Sequence, residues 1–255
     1  MSFFTDPSEA QRYAQSRPYF HPLAIARAAE ATGIDTNMSL ALDVACGTGQ
    51  SAAALISIAD WIVGLDISWN MLANAVRDER IRYVQARAES IPFPSESAPI
   101  VSTALAIHWF DRHQFLRQVW RVLTAEGLLL VYTNGFSGIM RESPAFQSWA
   151  WEVYPQRFPT PPRDSKPLTP EEATDAGFEF IAEDRYENEV SFMPEELVAY
   201  LVTQTNVTAA VKQGRESLES ASQWILKQVR PFFASEKATF VFVSRAWYLR
   251  KQSVR

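Results

Sequence analysis

The sequence predicts an α/β protein, a parallel sheet with helices packed on both faces. Three observations lead there. From Leu40 to Tyr132, short apolar runs alternate with helix-compatible segments. The first run, Leu40-Ala-Leu-Asp-Val, passes through the turn Ala45-Cys-Gly-Thr-Gly into a helical segment, Ser51 to Ile58. The second, Trp61-Ile-Val-Gly-Leu, ends in Asp66, much as the first carries Asp43 near its end. Ligands of open α/β sheets bind beyond the carboxyl ends of the strands, so both acids stand where a ligand is expected.

The elements follow in order. Phe3 to Thr32 is rich in aromatics and contains Tyr13-Ala-Gln-Ser-Arg-Pro-Tyr-Phe-His-Pro; it reads as a strap or lid over residues 1–33, with a helix from Leu23 to Ala31 stopped by Gly33. Residues 34–133 form the core. There Ser68 is placed to cap a helix from Trp69 to Val76, Ile81 to Gln85 is a third strand, and Pro92 and Pro94 stiffen the loop that follows. Ile100 to Leu105 is a fourth strand running into His108-Trp-Phe-Asp. Leu116, Val119, Trp120 and Leu123 recur at helical spacing between Phe115 and Leu123, and Gly127 precedes a fifth strand, Leu128 to Tyr132. Residues 134–166 lose the pattern and gather Phe146, Trp149, Trp151, Tyr154 and Phe158, which reads as an inserted cap. In 167–255, Thr169-Pro-Glu-Glu has the form of a capping box, Phe178 to Ala182 is a strand, Pro194 opens a helix and Leu218 to Val229 is the next. Ala238 to Leu249 closes the sheet. The whole is expected to be one domain of 255 residues.

Composition limits the function. At 47% apolar and 21% charged residues the chain is of ordinary globular type, with no apolar run long enough to span a membrane. Met1 to Ala10 has neither the basic region nor the apolar core of a signal peptide, so a cytoplasmic protein is expected. A net charge of −5 and the lack of a basic cluster before Arg245 to Arg255 argue against a nucleic-acid partner. One cysteine, Cys46, excludes an intrachain disulfide, and together with three histidines it shows no metal-ligand spacing.

Chemistry concentrates at the first turn. Gly47 and Gly49 lack side chains that would hold a ligand off the backbone, and the helix beyond offers unpaired N–H groups. Asp66 follows Gly49 at close to the roughly 20 positions where a ribose-binding carboxylate stands in dinucleotide folds. A nicotinamide-dependent oxidoreductase shares these features, but the spacing is Ala-x-Gly-x-Gly rather than G-x-G-x-x-G.

With Asp43, the Ala45 to Gly49 loop, Asp66 and Ala88-Glu-Ser-Ile-Pro-Phe in this order, the chain resembles class I S-adenosylmethionine-dependent methyltransferases over roughly residues 35 to 135. Leu105-Ala-Ile-His-Trp-Phe and Tyr13, Arg17-Pro and Tyr19 look like the small-molecule members related to trans-aconitate methyltransferases and the carboxyl methyltransferases of biotin synthesis. The resemblance implies a Rossmann-like seven-stranded sheet, mostly parallel with one antiparallel strand, placed here at Ala238 to Leu249. It implies S-adenosyl-L-methionine as cofactor, with Asp43, Ala45, Gly47 and Gly49 at its methionine part and Asp66 at the ribose. Ile67 and Met71 would flank the adenine, Ala88 and Glu89 would lie at its edge, and the Leu105 to His108 stretch would face the methionine and sulfonium. Arg17, Arg141 and Tyr19 are candidates for gripping anionic groups, on the cofactor or the acceptor, and His108 is the candidate base, with Tyr19 the other catalytic candidate. The acceptor is expected to be a small molecule, a carboxylate among the candidates, enclosed by strap and cap, and the protein a monomer or homodimer. A non-catalytic cofactor-binding module is the other reading. Two departures stand out: Ala45 replaces a frequent glycine and requires negative φ, and Arg87 stands where many relatives carry an aspartate.

Overall fold

The computed structural model describes residues 6–34, 37–162 and 166–252. Met1–Thr5, where no leader is expected, and the last three residues of the basic tail lie outside them. The described residues form a seven-stranded sheet in the order β3-β2-β1-β4-β5-β7-β6. In chain order the elements are α1 (Pro7–Ser16), α2 (His21–Thr32), β1 (Met38–Val44), α3 (Gln50–Leu55), β2 (Ala59–Asp66), α4 (Trp69–Ala73) and β3 (Ile81–Gln85). Then come β4 (Ala98–Ala104), α5 (Arg112–Val122), β5 (Leu123–Met140), α6 (Ala145–Ser148), α7 (Tyr154–Arg157), α8 (Pro170–Asp175) and β6 (Phe178–Phe192). The chain ends with α9 (Pro194–Leu201), α10 (Thr205–Lys212), α11 (Leu218–Val229) and β7 (Ala238–Lys251).

The strands β1 to β5 pair in parallel, with β1 central: Asp43 lies opposite Gly64 of β2 on one side and Ser102 of β4 on the other. The expected antiparallel strand is β7. Thr133 Oγ1 donates to Arg245 O, Ser137 Oγ to Val241 O and Arg141 N to Thr239 O, so one strand climbs in number as the other falls.

The chain divides into two compact units. One comprises Tyr19–Thr133, Arg163–Arg185 and Arg245–Arg255, the other Met1–Pro18, Asn134–Pro162 and Tyr186–Ser244. In the first, alternate residues of each strand feed two apolar layers, as the period of two requires. Leu42, Val44, Val101, Leu129 and Val131 pack with Phe115, Leu116, Val119 and Val122 of α5. Ala41, Ile62, Ile100, Leu128 and Leu130 pack with Ala24, Ile25 and Ala28 of α2 and with Ala52 and Leu55 of α3. The second unit has its own core of Phe146, Trp149, Tyr154, Phe158, Phe192, Tyr200, Phe240 and Phe242.

Some boundaries differ from expectation. The fifth strand does not stop at Tyr132 but continues to Met140, so the aromatic segment begins as strand and only then turns helical, with a π-turn at Trp149–Val153 between α6 and α7. The strap contains a helix, α1, capped by Asp6, whose carboxylate accepts from Ser8 N. Gly33 and Gly177 both take positive φ where they end helices. At α8 only half of the capping box forms: Thr169 Oγ1 accepts from Glu172 N, while the Glu172 carboxylate pairs with Arg112.

Candidate active site

At the carboxyl edge of the parallel strands, the turn from β1 to α3 is tied down from three sides. Cys46 N donates to Leu65 O, Gly47 N to the Asp66 carboxylate at 2.8 Å, and Val76 N to Thr48 O. Gly47 and Gly49 have φ of +54° and +76°. A Cβ on Gly49 would stand 2.1 Å from Tyr83 Oη, whose hydroxyl donates to Val76 O. Gly49 is therefore required twice, by its backbone and by the ring against it. Ala45 also adopts positive φ, +56°. The expectation of negative φ at Ala45 is thus corrected: the chain carries a left-handed alanine where the reversal out of β1 begins, at a steric penalty of about 1–2 kcal/mol.

The two strand-end acids behave differently. Asp43 is fully buried, and its oxygens accept from Ser51 Oγ of α3 at 2.5 Å and Ser102 Oγ of β4 at 2.7 Å. Burial pushes its carboxyl up to about 6, against the pull of the two serines. Asp66, 8% exposed, accepts from backbone only: Ser68 N on Oδ1 and Gly47 N on Oδ2, both at 2.8 Å. Burial raises its carboxyl too, opposed by those N–H groups. Ile67 N also turns to this carboxylate, and of the roughly four accepting positions of a carboxylate these N–H groups leave capacity that suits a hydroxyl-bearing ligand such as a diol.

Around Asp66 lie exposed Ile67 and buried Met71, whose methyl group is 3.1 Å from a Cβ built on Gly47. Ala86 N donates to Asp66 O, bringing the Ala88–Glu89 loop to the same edge. Ala88 is buried. Glu89 accepts from Asp111 N at 3.2 Å and lies 3.6 Å from the exposed guanidinium of Arg87, so it holds the segment after His108. Leu105 leaves β4 with φ of +58°, its N–H on Tyr132 O, and His108 follows in a 3-10 turn with its ring 4.6 Å from that of Trp109.

Tyr19 is exposed, its ring 6.0 Å from that of His21. Arg17 belongs to the other unit, where its Nη2 donates to Thr203 O. The structure thus brings Asp43, Ala45, Gly47, Gly49, Asp66, Ile67, Met71, Ala88 and Glu89 together around one loop, with Leu105 and His108 after the neighbouring strand. Sequence reasoning misses Ser51, Ser102 and Tyr83. Ser102 is signalled by a hydroxyl inside an apolar strand, whereas nothing local marks Tyr83. It also passes over His21, whose Nδ1 lies 2.9 Å from Tyr132 Oη and which burial shifts down to about 3.

The methyltransferase domain family matches residues 42–131, which span the glycine loop, both acids and the His108 turn. Over that stretch, about a third of the chain, the sequence is similar to methyltransferase domains. The domain's cofactor is S-adenosylmethionine, and the diol-ready Asp66 and the side-chain-free faces of Gly47 and Gly49 fit it. A probable S-adenosylmethionine-dependent methyltransferase of Saccharomyces cerevisiae is 28% identical over 134 residues, 49% of this chain and 45% of the relative. A candidate methyltransferase of Dictyostelium discoideum is 29% identical over 111 residues, 44% of this chain and 42% of the relative. The chain spans less than half the length of these curated relatives. Among solved structures, a candidate type II methyltransferase from Anaeromyxobacter dehalogenans has a TM-score of 0.67 at 20% identity, covering 89% of this chain and 95% of that one, a likeness of fold. Among the described residues no helix is long and apolar enough to cross a membrane, and no group of acids, histidines and cysteine could hold a metal ion.

Proposed function

We propose that the protein transfers a methyl group from S-adenosylmethionine to a small-molecule acceptor, a carboxylate being the class favoured. The observation that carries the reading is Asp66, a buried carboxylate at the strand end fixed by backbone N–H groups alone, with accepting capacity left over for a pair of hydroxyls. S-adenosylmethionine supplies a methyl group activated by its sulfonium. The chain's part is to bind and align: Gly47 and Gly49 leave the loop backbone open, Asp66 receives the ribose hydroxyls, and Ile67 and Met71 give the adenine an apolar bed. Ala88 and Glu89 lie at the adenine edge, and Asp43 keeps the loop in shape from behind. Alignment in a site shielded from water supplies much of the catalysis of an in-line displacement. A carboxylate acceptor is already a nucleophile at neutral pH; an alcohol or amine calls on a base, for which His108 is the candidate, with Tyr19 as the other candidate on the acceptor side. The reading extends to a cytoplasmic enzyme acting as a monomer or homodimer, which fractionation and sizing in solution test.

Calorimetric titration with S-adenosylmethionine, S-adenosylhomocysteine and NADH is the direct test. Binding of the first two and not the third is expected, followed by turnover in a panel of small carboxylic acids. Binding of NADH alone would reject the reading, and binding without turnover across a broad panel would favour the non-catalytic module. With an alcohol or amine acceptor, which needs a base, His108→Ala is expected to lower kcat by about 100-fold, in the range of general acid–base contributions, with cofactor affinity unchanged, whereas a carboxylate acceptor should leave kcat near wild type. Wild-type turnover of an alcohol or amine in the variant would return His108 to a packing role.

A further inference from the structure

The edge strand β3 reaches the glycine loop through one side chain, that of Tyr83. Its partly buried ring stands against two glycines. A Cβ on Gly49 would lie 2.1 Å from Tyr83 Oη and 2.9 Å from Cζ, and one on Gly64, its partner across β2, would lie 2.8 Å from Cδ1 and Cε1. Glycine inside a strand weakens it and marks a place of close approach. Here the ring is what approaches. At Gly49 the ring also weighs more than the backbone, because Ala45 of the same turn holds φ of +56° with its methyl group in place.

An aromatic that covers a glycine across a strand pair is a stabilising device in its own right, and phenylalanine supplies it as well as tyrosine. The hydroxyl is what that role leaves over. Tyr83 Oη donates to Val76 O at 2.7 Å, and Val76 N donates to Thr48 O at 3.0 Å, so Val76 is held by both of its backbone groups. One tie therefore runs from β3 through Val76 to Thr48, the residue between the two loop glycines. Burial raises the phenol above its ordinary value, so the hydroxyl keeps its proton and stays a donor. The loop's other side-chain anchor is Asp66, which accepts from Gly47 N. Between the anchors lies α4: Ser68 Oγ accepts from Met71 N at its start, Val76 fixes the chain beyond its end, and the Met71 methyl group stands 3.1 Å from a Cβ built on Gly47.

We propose that Tyr83 is a positioning residue for cofactor binding. Its ring sets how closely β3 and Gly49 approach, and its hydroxyl, acting through Val76, holds the glycine loop and the end of α4 in their binding shape. The inference rests on the methyltransferase reading of this loop. Fixing a loop before its ligand arrives raises affinity by removing the cost of ordering it on binding. A hydroxyl that only stabilised the fold would act differently: well below the melting temperature nearly every molecule is folded, so its loss would lower Tm and leave affinity as it was.

The test is calorimetric titration of the full chain with S-adenosylhomocysteine well below its melting temperature, with thermal melting alongside. Tyr83→Phe keeps the ring and removes the tie. It should weaken S-adenosylhomocysteine about threefold to tenfold, the worth of one hydrogen bond. Wild-type affinity in that variant, whatever its Tm, would overturn the proposal. The ring is tested by a double-mutant cycle in Tm, which needs no ligand. Tyr83→Val suits a strand and removes the atoms that a methyl group on Gly49 would meet, so Gly49→Ala should lower Tm less in the Tyr83→Val background than in wild type. Equal falls in the two backgrounds would overturn the part given to the ring. Failure of wild type to bind S-adenosylhomocysteine would reject the methyltransferase reading itself, and the Tm cycle would still decide whether Tyr83 sets the loop.

Discussion

The ends of β1 and β2 make an instructive pair. Each carries an aspartate within one residue of its last position, each carboxylate is buried, and burial raises both. Their donors separate them. Asp43 is bonded to hydroxyls of Ser51 and Ser102, which join α3 and β4 to β1, and it has no exposed surface. Asp66 is bonded to the backbone of Gly47 and Ser68, which begins the two segments a ligand would touch, and it keeps a small opening. An acid at a strand end is thus a brace at Asp43, while at Asp66 the donors around it leave the opening that the proposed ribose role requires.

The severest way to break the comparison is to disturb the loop both acids hold. Gly49→Ala places a methyl group against Tyr83 in a left-handed backbone, adding about 1–2 kcal/mol of conformational strain and about 1–3 of overpacking. Chemical denaturation should show a loss of about 3 kcal/mol, and S-adenosylhomocysteine binding should vanish in calorimetry. Retained affinity would mean that the loop is not the binding element.

Asp43→Asn probes the brace through pH. In the fold the Asp43 carboxyl titrates at about 6 against an ordinary 3.8. Between these values the folded protein holds a proton that the unfolded chain has released. The corresponding stability is full below about pH 4 and lost as pH rises through 6, up to ~3 kcal/mol. The amide of the variant does not titrate. Denaturation at pH 4, 5, 6 and 7 should therefore find the wild type losing up to ~3 kcal/mol relative to the variant over that span. Parallel pH profiles would place the Asp43 ionisation outside this window.

Asp66→Ala probes the receptor. Losing the carboxylate should weaken S-adenosylmethionine by ~1.5–3 kcal/mol, the worth of a hydrogen bond to a charged group, in a calorimetric titration. Unchanged affinity in a folded variant would remove Asp66 from the ribose and make the two acids equivalent braces after all.

The same contrast explains what is legible without the structure. The parallel core is legible because its strands are short apolar runs with turns that only small residues allow; β3 and α11 fall on their expected residues, Ile81–Gln85 and Leu218–Val229. Asp66 can be placed from its spacing to Gly49. The partners of Asp43 cannot be foreseen, because Ser51 and Ser102 meet it only through parallel register, which no local pattern encodes. The length of β5 is hidden for a related reason: Gly135 and Gly138 interrupt the apolar run, while pairing with β7 carries the strand past them to Met140. Arg17 stands out in the sequence as an anion grip, but its neighbours Tyr200 and Thr203 come from α9 and the turn after it, far along the chain.

The mildest probe lies between the two acids. Ala45 follows β1 directly and is left-handed, so Ala45→Gly relieves about 1–2 kcal/mol of steric strain and adds back about 0.5–1 kcal/mol of unfolded-chain entropy. A net gain of ~0.5–1 kcal/mol in chemical denaturation is expected, with S-adenosylhomocysteine affinity within about twofold of wild type. Gly47 N remains bound to Asp66 in either case, so the receptor end is untouched. If stability rises while affinity falls, the Ala45 methyl group restricts the loop to its binding shape, and the strain at the end of β1 serves the ligand as directly as Asp66 does. If stability falls instead, the left-handed turn at Ala45 is held by packing that the methyl group itself supplies.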